Sequence, residues 1–230
     1  MDYTLAIYRQ AEMDRLSIDV TVRKLVERGY SDDLLSMQYR TDFPIRGLLI
    51  DRKLGNVLKM DRYRYVKRAY HGFRKLSREE RRHAYHTRRL RPGTGRYHWV
   101  DTLYSLSEVA VYAAVVDHVD THGGSVDYGQ LFSDIRECAD LSHQDGSILD
   151  PVLQDLPRYV ERDPELGVLF HKLRSAGKRV FLLTNSGPDY TDAMMSYLVG
   201  DALEEYPSWR NYFDYVFAAS KKPGFFTGKA

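Results

Sequence analysis

The sequence predicts an α/β fold containing a parallel sheet, on three observations. The last third alternates helix and strand. Residues 165–176 are amphipathic and end at Gly177, 178–183 read as a strand with a continuous apolar stretch, Pro188–Val199 is helical in pattern, and 212–219 read as a second strand. Such alternation with short connections favours right-handed parallel units, because the chain must cross back over the sheet to lay the next strand. Second, 43% hydrophobic and 29% charged residues over 230 positions suit a globular chain able to bury a core, which excludes a disordered or fibrous one. Third, the longest unbroken apolar run, residues 109–116, has eight members. A membrane span needs about 20.

The remaining elements follow in order. Residues 2–8 read as a strand end running into a turn. A short helix is expected over 20–28, with Val22, Leu25 and Val26 on one stripe, Asp19 as cap and Gly29 as stop. Apolar runs at 47–51 and 57–61 flank a turn holding Gly55 and Asn56, a hairpin signature. Residues 78–89 are expected to be helical, and Pro92, Gly93 and Gly95 mark a loop. A helix starting near Ser107 carries the 109–116 run, and Gly123 and Gly124 break it. Residues 128–141 then place Leu131, Ile135, Cys138 and Leu141 at helical spacing.

Net charge is +2, too small to imply a polyanionic partner, but its distribution is uneven. Residues 61–100 hold thirteen Lys/Arg against three acids, whereas 101–165 hold three Arg against fourteen acids. Two neighbouring stretches that neutralise one another explain this. A nucleic-acid surface is disfavoured, because the basic block carries no reading motif. A single cysteine, Cys138, fits a reducing compartment, and with no signal-like N-terminus the expectation is cytoplasmic.

Ligands of parallel sheets bind beyond the carboxyl ends of the strands. After 180–183 comes Thr184-Asn185-Ser186, with Pro188 opening the next helix: hydroxyls and free N–H groups that suit a phosphate. After 212–219 comes Ser220-Lys221-Lys222-Pro223, which read alone is a solvated lysine pair. The third place is the start, Asp2-Tyr3-Thr4-Leu5-Ala6.

Together these resemble the haloacid dehalogenase superfamily, and within it the cytosolic purine 5′-nucleotidases. Asp2-Tyr3-Thr4-Leu5-Ala6 is similar to the end of that family's opening Asp-x-Asp-x-Thr-Leu motif. Phe43-Pro44-Ile45-Arg46-Gly47-Leu48 with Gly55-Asn56-Val57-Leu58-Lys59 resembles its hairpin. Phe132-x-Asp134-Ile135-Arg136-x-x-x-Asp140-x-x-His143 resembles its substrate-pocket helix. Phe181-Leu182-Leu183-Thr184-Asn185-Ser186 with Tyr190-Thr191-Asp192 looks like its second motif. Tyr212-Phe213-Asp214, Lys222-Pro223 and Phe225-Phe226 look like its third.

The resemblance implies an incomplete Rossmann-like parallel core, residues 1–45 and 150–230, with a mixed helical and hairpin cap inserted at 46–149. It implies Mg²⁺-dependent hydrolysis of nucleoside 5′-monophosphates through an aspartyl-phosphate, purines favoured and a homo-oligomer compatible. Asp2 would be general acid/base and, through its backbone carbonyl, a metal ligand. Thr184, Asn185 and Ser186 would hold the phosphate and Lys222 would neutralise it. Tyr104 would stack on the base, with Arg136, Asp140 and His143 around the nucleotide. Ser105, Gln144 and Leu149 depart from the family pattern, which leaves the base unfixed. Read without the family, Arg136 and Asp140 are an i,i+4 surface pair contributing at most ~0.5 kcal/mol. By the same resemblance the attacking aspartate would stand just before Met1 and the fourth motif beyond Ala230. The chain is therefore expected to be a fragment, inactive as it stands. Two alternatives stay open: a catalytically dead phosphate-binding remnant, and an RNA-associated domain around 61–100.

Overall fold

The computed structural model describes residues 2–85, 89–91 and 93–228. In chain order the elements begin with β1 (Ile7–Tyr8), α1 (Gln10–Glu27), β2 (Leu48–Asp51), β3 (Asn56–Met60), β4 (Val66–His71) and β5 (Arg74–Lys75). Next come α2 (Arg78–Tyr85), β6 (Tyr97–Val100), α3 (Ser105–Thr121), α4 (Tyr128–Gln144), α5 (Leu149–Gln154), α6 (Leu156–Tyr159) and β7 (Val160–Glu161). The chain ends with α7 (Glu165–Ser175), β8 (Phe181–Leu183), α8 (Pro188–Val199), β9 (Tyr215–Phe217) and α9 (Gly224–Thr227). No helix among the described residues is long and apolar enough to cross a membrane.

The fold is mixed α/β, and its main sheet is antiparallel, in the order β5-β4-β3-β2-β6. The expected parallel sheet is represented among the described residues by one pair, β8–β9, in register Phe181↔Tyr215 to Leu183↔Phe217. The chain divides into two compact units, 1–13 with 149–230 and 14–148. Residues 14–45, grouped from sequence with the core, cluster with 46–148.

The second unit is built on the sheet. Strand β2 reads Leu48-Leu49-Ile50-Asp51 and every residue is buried. Side chains alternate between faces, so Leu48 and Ile50 join α1, α3 and α4 in one core, while Leu49 joins Leu58, Ala69, Leu76 and Tyr85 in another. A strand covered on both faces needs a continuous apolar run, and β2 has it. Helix α3 is buried from Ser107 to Val116, and α4 lays Leu131, Phe132, Ile135 and Cys138 against the same core.

Several expectations shift. The helix expected at 20–28 starts at Gln10, so Asp19 lies inside it and pairs with Arg23 at 3.0 Å. Its polar opening hides the periodicity that Ile18, Val22 and Leu25 reveal only once buried. The basic block contains β4, β5 and β6, which sequence reading missed. Lys67 and Arg68 are exposed on β4 while Ala69 is buried, so the apolar signal is one alanine wide. The helix over 78–89 spans Arg78–Tyr85, and residues 86–88 and Pro92 lie outside the described residues. The strand expected at 212–219 shortens to β9, with Tyr212 in a 3₁₀ turn.

The first unit pairs β1 with β7 antiparallel, Tyr8 opposite Val160. Its core combines Met194, Met195 and Leu198 of α8 with Phe170, Trp209, Tyr212 and Phe213. Tyr206 stacks on Tyr212 with centroids 4.0 Å apart.

Candidate active site

In the first unit, two loops leave the carboxyl ends of β8 and β9 side by side. Thr184 is 1% exposed, and its N–H donates to the Phe217 carbonyl at 2.9 Å, continuing the parallel ladder. Its hydroxyl donates to Ser186 Oγ at 3.1 Å and accepts from the Ser186 N–H at 3.1 Å. Asn185 fastens the second loop: Oδ1 accepts from Lys222 N–H at 2.6 Å and Nδ2 donates to the Lys222 carbonyl at 3.1 Å. Ser220 Oγ donates to the Thr184 carbonyl at 2.8 Å. The Lys222 ammonium donates to the Leu183 carbonyl at 2.9 Å, which holds the cation at the strand end. The bonds from its backbone and ammonium to this strand end set Lys222 apart from a solvated lysine.

The second loop is strained. Ala219 and Lys221 adopt φ of 49° and 54°, a left-handed conformation costing about 1–2 kcal/mol for a residue with a Cβ. Strain of this kind collects where a loop must present particular groups. Helix α8 begins at Pro188 behind Gly187, which offers no side-chain cap. Pro188 carries no N–H and the Thr191 N–H bonds the Gly187 carbonyl at 3.0 Å, so the Asp189 and Tyr190 N–H groups are those left to favour an anion.

Asp2 belongs to the same unit. Its Oδ1 accepts from the Tyr8 hydroxyl at 2.6 Å, and Tyr8 lies 2.7 Å from the Tyr190 hydroxyl on α8. Tyr8 and Tyr190 are both buried. Among the described residues no group of three or more His, Cys, Asp or Glu is placed to hold a metal ion. The described side chains do not by themselves make a Mg²⁺ site.

The residues expected around the base lie in the second unit. Arg136, Asp140 and His143 fall on one face of α4, at i, i+4 and i+7. Tyr104 precedes α3, and its ring meets His143 edge to face with centroids 5.8 Å apart. Arg136 does not pair with Asp140. Its Nη1 lies 2.8 Å from His98 Nε2 and its Nε 4.0 Å from Glu108 Oε2. A guanidinium can only donate, so His98 accepts at Nε2 and its ring is neutral. Burial, and then Arg136, push the His98 pKa down in agreement.

Sequence reading missed Glu108 and His98. Glu108 is 9% exposed, and its Oε2 is enclosed with no hydrogen-bond partner. At 4.0 Å Arg136 attracts it but is too distant to bond. Burial pushes the Glu108 carboxyl up to about 7, with Arg136 opposing the rise and Asp140 adding to it. Its one sequence signal is an acid immediately ahead of the 109–116 apolar run.

A family model described as the 5′ nucleotidase family matches residues 1–230. The chain belongs to the 5′ nucleotidase family. It is 30% identical over 235 residues to a 5′-nucleotidase domain-containing protein of Dictyostelium discoideum, covering 98% of this chain and 39% of that protein. It is 29% identical over 243 residues to the human 5′-nucleotidase domain-containing protein 2, covering 99% of this chain and 45% of that one. The rat protein of the same name gives 29% identity with 42% of its length covered. The chain thus spans about two fifths of the length of these 5′-nucleotidase relatives.

Proposed function

We propose that this chain carries the acid/base, phosphate-holding and cationic parts of a nucleoside 5′-monophosphate phosphohydrolase of the haloacid dehalogenase type. One observation supports this above the others: Thr184, Ser186 and Lys222 stand together at the ends of two parallel strands, locked by Asn185, in the unit that holds Asp2. In this reading β8 and β9 belong to a parallel, Rossmann-like core.

A carboxylate from outside the 230 residues attacks phosphorus, the P–O5′ bond breaks, and Asp2 gives its proton to the departing ribose oxygen. Thr184, Ser186 and the start of α8 orient the phosphoryl oxygens, and Lys222 balances their charge. Asp2, now a carboxylate, takes a proton from the water that cleaves the acyl phosphate. Mg²⁺ and a purine base rest on the resemblance alone, and a cytoplasmic location on the single cysteine.

The test is phosphate release from inosine and guanosine monophosphate with Mg²⁺ present. The 230-residue chain is expected to release none, and a chain extended at both ends to be active. Hydrolysis by the short chain overturns the external nucleophile. An inert extended chain that still binds nucleotide supports the phosphate-binding remnant instead.

A further inference from the structure

The contacts around Asp2 go beyond holding a general acid/base in place, and they rest on the reading just given. A carboxylate can only accept hydrogen bonds, so at 2.6 Å the Tyr8 hydroxyl donates its single proton to Asp2 Oδ1. Tyr190, 2.7 Å from Tyr8, must then be the donor of that second bond. The chain of bonds runs one way: Tyr190 to Tyr8 to Asp2.

The two phenols come from distant segments, β1 and α8, and both are buried. Neither ring can turn away without disturbing the packing around it. A phenol keeps its proton near neutrality. A neutral donor fixes the carboxyl without adding a charge beside it, as an arginine or lysine would.

We propose that Tyr8 and Tyr190 are positioning residues that bind Asp2 through Oδ1 and thereby reserve Oδ2 for exchanging a proton with the substrate. If the proton settled on Oδ1 instead, Tyr8 would have to turn its own proton towards Tyr190. Tyr190 would then need another acceptor, and among the described residues its hydroxyl has no hydrogen bond other than that to Tyr8. The arrangement therefore distinguishes two chemically equivalent oxygens. It also links the start of α8, where the phosphate is proposed to sit, to the proton donor through two side chains, Tyr190 and Tyr8.

The test has two arms. In the 230-residue chain, proton NMR of the tyrosine hydroxyls should show a slowly exchanging, low-field signal that Tyr8→Phe removes. Asp2→Ala should move it upfield, and Tyr190→Phe should speed its exchange. A Tyr8 signal indifferent to Asp2→Ala overturns the contact. In the extended chain, Tyr8→Phe should lower kcat about tenfold with KM within about twofold, the expectation for one lost bond to a charged group. Tyr8→Phe on top of Asp2→Asn should cost nothing more. A stably folded Tyr8→Phe variant with unchanged kcat overturns the positioning role. An extended chain inert in every form sinks the hydrolase reading instead, and the NMR arm still decides whether the contact exists.

Discussion

Two polar clusters, one in each unit, are built on opposite principles. Asp51, at the end of β2 in the antiparallel sheet, is fully buried and completely engaged. Arg96 grips it with two bonds of 2.8 and 2.6 Å, Tyr85 donates at 2.9 Å, and the Lys53 and Leu54 N–H groups close the turn. The network continues through Asn56 to Tyr85 and to His71, each at 2.8 Å. It consumes its own hydrogen-bonding capacity, which is what a fold-specifying network must do at low dielectric. The strand-end cluster of the first unit is held by a strained loop, and its hydroxyls and ammonium stand beside an uncapped helix start. It keeps capacity in hand. Charged and polar residues serve architecture in one place and, in the function proposed above, a ligand in the other.

The largest effect that could break this contrast is at Asp51. Asp51→Ala removes the acceptor of Arg96 and Tyr85 and leaves a guanidinium partly enclosed without a counter-charge. Breaking such a pair costs about 3–5 kcal/mol. Urea unfolding of the 230-residue chain should show that loss. A change under about 1 kcal/mol would mean the sheet does not depend on this network.

A second, pH-dependent effect is expected at Glu108. Its carboxyl is raised from an ordinary 4.5 to about 7. Between those values the folded chain holds a proton that the unfolded chain has released, so stability falls as pH rises through the window. Glu108→Gln has no proton to lose. Relative to the parent it should gain on the order of 3 kcal/mol by pH 8 and nothing below pH 4.5. Thermal melts of both proteins at the two pH values measure this. Equal pH dependence in parent and variant would show that Glu108 titrates normally.

What could be read from the sequence follows the same division. The hairpin was legible because its turn demands a glycine: Gly55 has φ of 69°, and a Cβ there would sit 2.7 Å from the Tyr128 ring. The strand-end residues were singled out by the family resemblance, since a polar triplet ends many strands and Lys222 read alone is a solvated lysine. Strands β4 to β6 were not, since their outward faces are basic or aromatic and their inward signal is carried by residues such as Ala69 and Val100. Nor were the partners of Arg136. Local spacing favours Asp140 one turn on, and only packing of α3 and β6 against α4 brings Glu108 and His98 into reach. Contacts between elements, not within them, are what a single sequence hides.

The smallest stability effect separates the two clusters most sharply. Lys222→Met keeps most of the length of the side chain and removes one bond, from the ammonium to the Leu183 carbonyl. The half-buried position lets water replace that donor, so the loss should be about 0.5–1.5 kcal/mol, the ordinary net value of one hydrogen bond. Phosphate binding should suffer far more, because the variant removes the cation held between the two strand ends. Titration of the 230-residue chain with inorganic phosphate, followed by the shift in melting temperature, reads both quantities from one series. The parent should be stabilised as phosphate rises and the variant should not. If Lys222→Met instead destabilises the chain as severely as Asp51→Ala while phosphate stabilises both proteins equally, the lysine is part of the framework, and the division between the two clusters disappears.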